Sequence, residues 1–284
     1  MHDRQRPSAV ERVARTVVLA VTLAWLGYVL ASWFLVWDPA DAGAYYDAAA
    51  RLRDGGPLYQ AMDPEAHEVY RYAPWFAYAW IPVTVLPREL ALHAWSMLML
   101  VASAVAVWPI ARLGTVAAVS LAALLGAFLA ETAMFGNAHP AVVALMVVTA
   151  TRRSFPVWLG VAASIKLVPI VFILVWLGRR EWVPALVALA TFGFLSLHAA
   201  LFDLGGYVTD PGTGLLSLYA VSPMLWIAVA AVAAGLAVVL AASKSRYAWI
   251  ATGVLAFIGP PRVVLSYLAF LAPAVVLTLR ERDR

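Results

Sequence analysis

The chain has 284 residues, of which 64% are hydrophobic and only 13% charged, with no cysteine. Soluble domains carry about 25% charged residues, so a soluble enzyme and a disordered chain are both excluded. A disulfide scaffold and a Cys-ligated zinc site fall with them. A mean hydropathy of +0.84 and 12 tryptophans describe an all-α, polytopic membrane protein. The net charge of +4 reads as basic loop bias in such a protein, not as a nucleic-acid surface.

Residues 16–37 form an apolar run long enough to cross about 30 Å of hydrocarbon at about 1.5 Å per residue. It is too long for a signal-peptide core, although residues 40–42 resemble a cleavage site. Arg4, Arg6, Arg12 and Arg15 precede it, which predicts a cytoplasmic N-terminus. The stretch 38–72 holds seven acidic residues and three arginines and reads as an outer loop. Within it a short helix is expected over 47–53, ending at Gly55-Gly56-Pro57. Residues 73–87, broken by prolines and bearing Trp75, Tyr78 and Trp80, read as an interfacial helix.

Crossings are then expected inward over 90–110, outward over 115–134 and inward over 141–150. Residues 155–177 carry an arginine pair at each end, Arg152-Arg153 and Arg179-Arg180, with Lys166 and Pro169 in the middle. A single crossing would strand one pair outside, so a re-entrant hairpin with Lys166 at its tip is expected. Further crossings follow over 182–202, 224–242, 249–258 and 263–279, with a glycine-rich outer loop over 203–221. The expectation is a single integral membrane domain, 1–284, with eight to ten spanning or half-spanning segments and the C-terminus inside.

On this path Asp41, Glu131, His139, Lys166 and Arg262 converge on the outer face. Acids and cations together suggest an anionic ligand with acid–base chemistry beside it. Plainer readings stand next to this one. Asp41 would cap a helix or be solvated, Glu131 would pair with a polar neighbour, and His139 would be an interfacial histidine. Arg71, Arg88 and Arg262 would snorkel to headgroups. Lys166, deep in an apolar stretch, is read as functional by default. The five histidines show no metal spacing, and Asp38 with Asp41 would hold a divalent cation only with further ligands. No P-loop, Rossmann glycine pattern or Gly-x-Ser-x-Gly occurs, so no cofactor is expected beyond that divalent option.

The string Asp41-Ala42-Gly43-Ala44-Tyr45-Tyr46-Asp47-Ala48-Ala49, then Gly56-Pro57-Leu58-Tyr59 and Tyr70-Arg71-Tyr72-Ala73-Pro74, resembles glycosyltransferase family 87 of the GT-C superfamily. Gly136-Asn137 and Lys166-x-x-Pro169 are similar to later family pieces, although the family's lysine is more often followed directly by proline. The resemblance implies a GT-C-like bundle in the cell membrane. It implies a hexosyltransferase that moves a sugar from a polyprenyl-phosphate donor to a glycan or glycolipid acceptor on the extracytoplasmic side. In several members the sugar is mannose and the linkage α-1,2.

Carried over by motif, Asp41 is the catalytic base. A polyprenyl phosphate leaves without a general acid but needs nearby cations, so one carboxylate suffices for an inverting transfer. Lys166 and Arg262 are the candidates for the phosphate, with Arg71 or Arg88 in reserve. Tyr45, Tyr46 and Tyr59 would line the sugar pocket, with Asn137 and His139 beside them, and the lipid tail would lie between helices. Two other readings stay open: a transporter or flippase of a lipid-linked or anionic solute, which a helix broken at Lys166 also fits, and a non-catalytic membrane subunit.

Overall fold

The structure, a computed structural model, describes residues 39–60, 69–204, 206–207 and 217–282, with scattered helical positions between 13 and 31. The expected span over 16–37 falls largely outside the described residues, as do Asp38, the whole stretch 61–68 and much of the loop over 203–221.

Helix α1, Ala40–Arg53, is alanine-rich, with Asp41 in its first turn and Arg51 and Arg53 in its last. These charges complement the helix dipole. It begins seven residues earlier than the 47–53 expected, because Asp47 is an interior residue and not a cap. Asp41 is therefore held on a helix instead of in a loop. The interfacial segment forms α2, Pro74–Trp80, with proline in its first turn, and a 3-10 turn over Ile81–Val85. Two long antiparallel neighbours follow, α3 (Arg88–Ala111) and α4 (Val116–Met134). The Thr115 hydroxyl caps α4 by accepting from the Ala118 N–H at 3.2 Å.

Next come α5 (His139–Thr149), α6 (Phe155–Ile165), a 3-10 turn over Val168–Phe172 and α7 (Ile173–Gly178). Helix α8 (Trp182–Leu197) runs on into a 3-10 turn over His198–Leu201. The rest is α9 (Leu218–Val221), α10 (Pro223–Ala242), α11 (Ala248–Ile258), a 3-10 turn over Leu265–Phe270 and α12 (Leu271–Arg282).

The described residues contain helices and no strand, as expected of a polytopic bundle. Four helices are long and apolar enough to cross a membrane: α3, α4, α8 with its 3-10 extension, and α10. Helices α5, α6 and α11, and the segment Val168–Gly178, are 11 residues each. At 1.5 Å per residue each reaches about 16 Å, half the hydrocarbon thickness. The short segments over 141–150 and 249–258, expected to span or half-span, are thus half-length helices. They form the inside of the bundle: Val142, Val143 and Met146 of α5 and Leu159 of α6 are fully buried. By contrast only 12% and 11% of the apolar windows of α8 and α10 are buried, which leaves their sides to lipid.

The chain doubles back within 155–178. The Phe155 and Trp176 rings at the segment's two ends lie 5.8 Å apart, and Lys166 is extended (φ −134°, ψ 125°). Pro169 explains the break: it has no N–H for the Ile165 carbonyl four residues before it, and its ring would collide with that carbonyl, so α6 ends at Ile165. Gly160 lets α6 press on α8: a Cβ there would lie 2.5 Å from the Ala188 carbonyl oxygen. Gly193 of α8 has open space around it. Gly160→Ala is therefore expected to destabilise the fold by about 1–3 kcal/mol through overpacking. Gly193→Ala is expected to leave the melting temperature in detergent unchanged or slightly raised, and paired thermal melts check both.

Candidate active site

The site is assembled where α4 ends. Gly136 takes the left-handed conformation (φ +65°), and the Gly136 and Asn137 N–H groups return to the Ala133 and Thr132 carbonyls at 2.9 and 3.2 Å. This is a Schellman stop with glycine in its usual place. Glycine is doubly required here, because a Cβ would sit 2.5 Å from the Ala42 Cβ of α1. Trp95 Nε1 donates to the Gly136 carbonyl at 2.8 Å, and the Asp41 N–H donates to the Phe135 carbonyl at 3.0 Å. The start of α1 is thus pinned to the end of α4.

The turn aims Asn137. Its Oδ1 accepts the His139 N–H at 2.9 Å, which starts α5, and its Nδ2 donates to Asp41 Oδ2 at 2.9 Å. Because the oxygen serves the helix, the amide must face the carboxylate. Beside this pair the Ala138 N–H donates to the Tyr45 hydroxyl at 3.2 Å, and that hydroxyl donates to Tyr72 at 2.7 Å. Tyr45 is fully buried, with the rings of Tyr70, Tyr72, Phe76, Trp80 and Trp95 within 6.5 Å.

Lys166 closes the group. Its Nζ lies over the Tyr267 ring at 5.6 Å, and it is within electrostatic reach of Asp41, Tyr72 and Tyr267. Tyr72 feels both charges. Desolvation pushes its hydroxyl up to about 12, while Lys166 pulls it down and Asp41 pushes it up. Burial likewise raises Tyr45, with Tyr72 and Asp41 adding to the effect. Both tyrosines are neutral hydrogen-bond carriers near neutral pH. His139 is fully buried against Tyr267 and Phe270, and its Nε2 donates to the Ser266 carbonyl at 2.9 Å.

Against this cluster lies a cavity of about 290 Å³, lined among others by Tyr59, Arg71, Tyr72, Ser164 and Tyr207. The Tyr59 hydroxyl donates to the Tyr72 carbonyl at 2.9 Å, and Trp75 Nε1 donates to Ser164 at 3.1 Å. Tyr72 borders both the cavity and the charged pair.

The structure thus gathers Asp41, Tyr45, Asn137, His139 and Lys166, with Tyr59 and Arg71 on the adjoining cavity. It does not gather the rest. The Tyr46 hydroxyl is bound to the Leu86 carbonyl at 2.9 Å. Arg88 pairs with Asp47 in the α1–α3 contact, its Nε and Nη2 donating to the two carboxylate oxygens at 3.2 and 3.1 Å. Arg262 is exposed on the turn after α11, and no contact of the cluster includes it among the described residues. Glu131 is exposed on α4 and is likewise apart. No group of three or more His, Cys, Asp or Glu that could hold a metal ion occurs among the described residues. Sequence reasoning passed over Tyr72 and Tyr267. The first stood inside the quoted Tyr-Arg-Tyr-Ala-Pro string, whereas nothing local marked the second.

A carboxylate and an ammonium thus share one tyrosine, Tyr72, inside a helical membrane bundle beside a cavity. The sequence model of glycosyltransferase family 87 matches residues 70–210, about half of the chain. No curated protein and no solved structure matches. The chain belongs to glycosyltransferase family 87 and is a membrane glycosyltransferase. The matched range contains Arg71, Tyr72, Asn137, His139 and Lys166. Asp41 lies before it and joins the site through its hydrogen bond to Asn137.

Asn137→Asp retains an oxygen for the His139 N–H but sets a second carboxylate against Asp41. Like charges raise carboxyl pKa values in the folded state. The folded protein then binds more protons than the unfolded one, so stability is kept at low pH and lost as pH rises. The variant is expected to melt near wild type at about pH 5 and progressively below it towards about pH 8, as a pH series of thermal melts would show.

Proposed function

We propose that the protein transfers a sugar, mannose in the first instance, from a polyprenyl-phosphate donor to a glycan or glycolipid acceptor on the extracytoplasmic face of the cell membrane. The observation that carries this reading is the placement of Asp41 and Lys166 around Tyr72, at the rim of a cavity in a family 87 chain. The donor's anomeric carbon would lie between the two charges. The acceptor hydroxyl attacks that carbon, its proton passes to Asp41, and the bond from carbon to phosphate oxygen breaks with its electron pair on the phosphate. Lys166 faces the departing phosphate. Attack opposite the leaving group inverts the anomeric centre. Tyr72, on the cavity wall with Tyr59, accepts from the buried Tyr45 hydroxyl and so keeps its own O–H for the sugar, while Arg71 on the same wall is a second cation for phosphate or acceptor. No residue outside this group is needed for acid catalysis, because the leaving group is already a stable anion.

The sidedness follows from the basic residues. Arg152, Arg153, Arg179 and Arg280 line one cavity, and the Arg179 guanidinium reaches the Ser245 carbonyl next to Lys244 and Arg246. This basic end is separated from Asn137 and His139 by the length of α5. The positive-inside rule assigns it to the cytoplasm and the Asp41 end to the outside. The family match favours transfer over transport.

The test is a transfer assay with radiolabelled polyprenyl-phosphate mannose in membranes carrying each variant. Asp41→Asn is expected to insert normally and lose turnover by about 10²-fold or more, and retained turnover removes Asp41 as base. Lys166→Gln is expected to weaken donor binding, and unchanged donor affinity counts against its phosphate role. If wild type transfers only other sugars, mannose is wrong but the class stands.

A further inference from the structure

The end of the bundle away from Asp41 carries a second built cavity, of about 180 Å³. Arg152, Arg153, Arg179 and Arg280 line it with Glu181 and Glu281, an excess of positive charge. Two helix ends meet at Arg179, which caps α7 and reaches the turn after α10. Helix α7 stops with Arg180 in the left-handed conformation (φ 61°) and α10 with Lys244 at φ 56°. In both stops the N–H three residues beyond the helix returns to its last turn: Glu181 to Trp176 at 2.8 Å, Ser245 to Leu240 at 2.9 Å. Non-glycine residues are disfavoured there by about 1–2 kcal/mol, yet both positions carry a cation.

Arg179 is fixed at the centre. Its two terminal nitrogens hold Glu281, the second also reaching the Ser245 carbonyl at 3.2 Å. Trp249 Nε1 donates to the same carboxylate at 2.7 Å, and the guanidinium lies over the Trp249 ring at 5.7 Å. The Arg179 Nε–H is buried and has no partner among the described residues. Arg280 reaches across to the Ala150 carbonyl at 2.7 Å. Arg152 and Arg153 are exposed, and no ion pair among the described residues includes either. Glu281 is engaged by Arg179 and Trp249, and four arginines against two glutamates leave the lining net positive.

We propose that this cavity binds the phosphate of an anionic membrane lipid headgroup. Planar guanidinium groups with several N–H donors, gathered around a recess, suit the multidentate hydrogen bonding of a tetrahedral phosphate. The lipid source is favoured by what flanks the opening. Trp182 and Val183 at the start of α8, 57% and 73% exposed, and Trp158 on α6 present apolar and aromatic surface at the headgroup level. Basic pockets between membrane helices on the cytoplasmic side hold lipid headgroups in this way. The inference does not depend on the proposed transfer reaction.

The test uses the full chain in a neutral detergent, titrated with phosphatidylglycerol, phosphatidylcholine or inorganic phosphate while its melting temperature is followed. Phosphatidylglycerol is expected to raise the melting temperature and phosphatidylcholine to leave it unchanged. Arg152→Gln with Arg153→Gln is expected to melt like wild type without lipid. It should need roughly tenfold more phosphatidylglycerol for the same shift, the loss of about one charge-assisted contact. An identical titration for variant and wild type overturns the site. An equal shift from phosphatidylcholine overturns the charge recognition, and reproduction by inorganic phosphate alone overturns the lipid assignment. Where the double variant does not fold, each single variant carries the same comparison.

Discussion

Asn137 holds two commitments at once. Its oxygen begins α5, the helix at the centre of the core, and its amide orients the Asp41 carboxylate of a helix nearly a hundred residues earlier. Both depend on the left-handed turn at Gly136, which brings α1 and α4 within methyl contact distance. The packing that makes the fold and the geometry that makes the site are therefore one constraint. Moving the turn would shift the first buried residue of the core and the acid together.

The half-length helices follow from that arrangement. A helix that starts at the site and stops at the arginine cluster cannot cross the hydrocarbon alone, so α5 is sheathed by α3, α4, α6 and α12. Its neighbour α6 runs back to Lys166, and the chain returns through α7 to Arg179. One segment thus delivers an ammonium to one end of the bundle and a guanidinium to the other. Irregular backbone at Lys166 is tolerated because it lies against protein and not lipid.

The long spans were legible because the length of an apolar run decides a crossing, and α3, α4 and α10 begin and end within two residues of the expected limits. The half-length helices were not, since a short apolar run between polar residues reads the same whether it spans or stops midway. The doubling back at Lys166 was legible from charge, because like arginine pairs at both ends of one apolar segment admit few paths. The true start of α1 was hidden by Asp47, which looks like a cap and is instead the partner of Arg88 across 41 residues of sequence. Charge patterning also assigned Glu131 and Arg262 to the outer end without saying how deeply they sit, and both are exposed, with no contact to the cluster among the described residues. Tyr267 was beyond reach: an aromatic in an apolar run carries no local mark of lying under a lysine.

The opposition of Asp41 and Lys166 has an electrical consequence. With both tyrosines uncharged, the pair sums to zero before substrate arrives. A sugar phosphodiester adds one negative charge. On the proposed reaction the acid becomes neutral as its proton arrives, and the departing monoester gains the negative charge that the acid gives up. Charge is therefore displaced from the carboxylate side towards the ammonium, down the existing field, and the repulsion between acid and phosphate fades as the bond breaks.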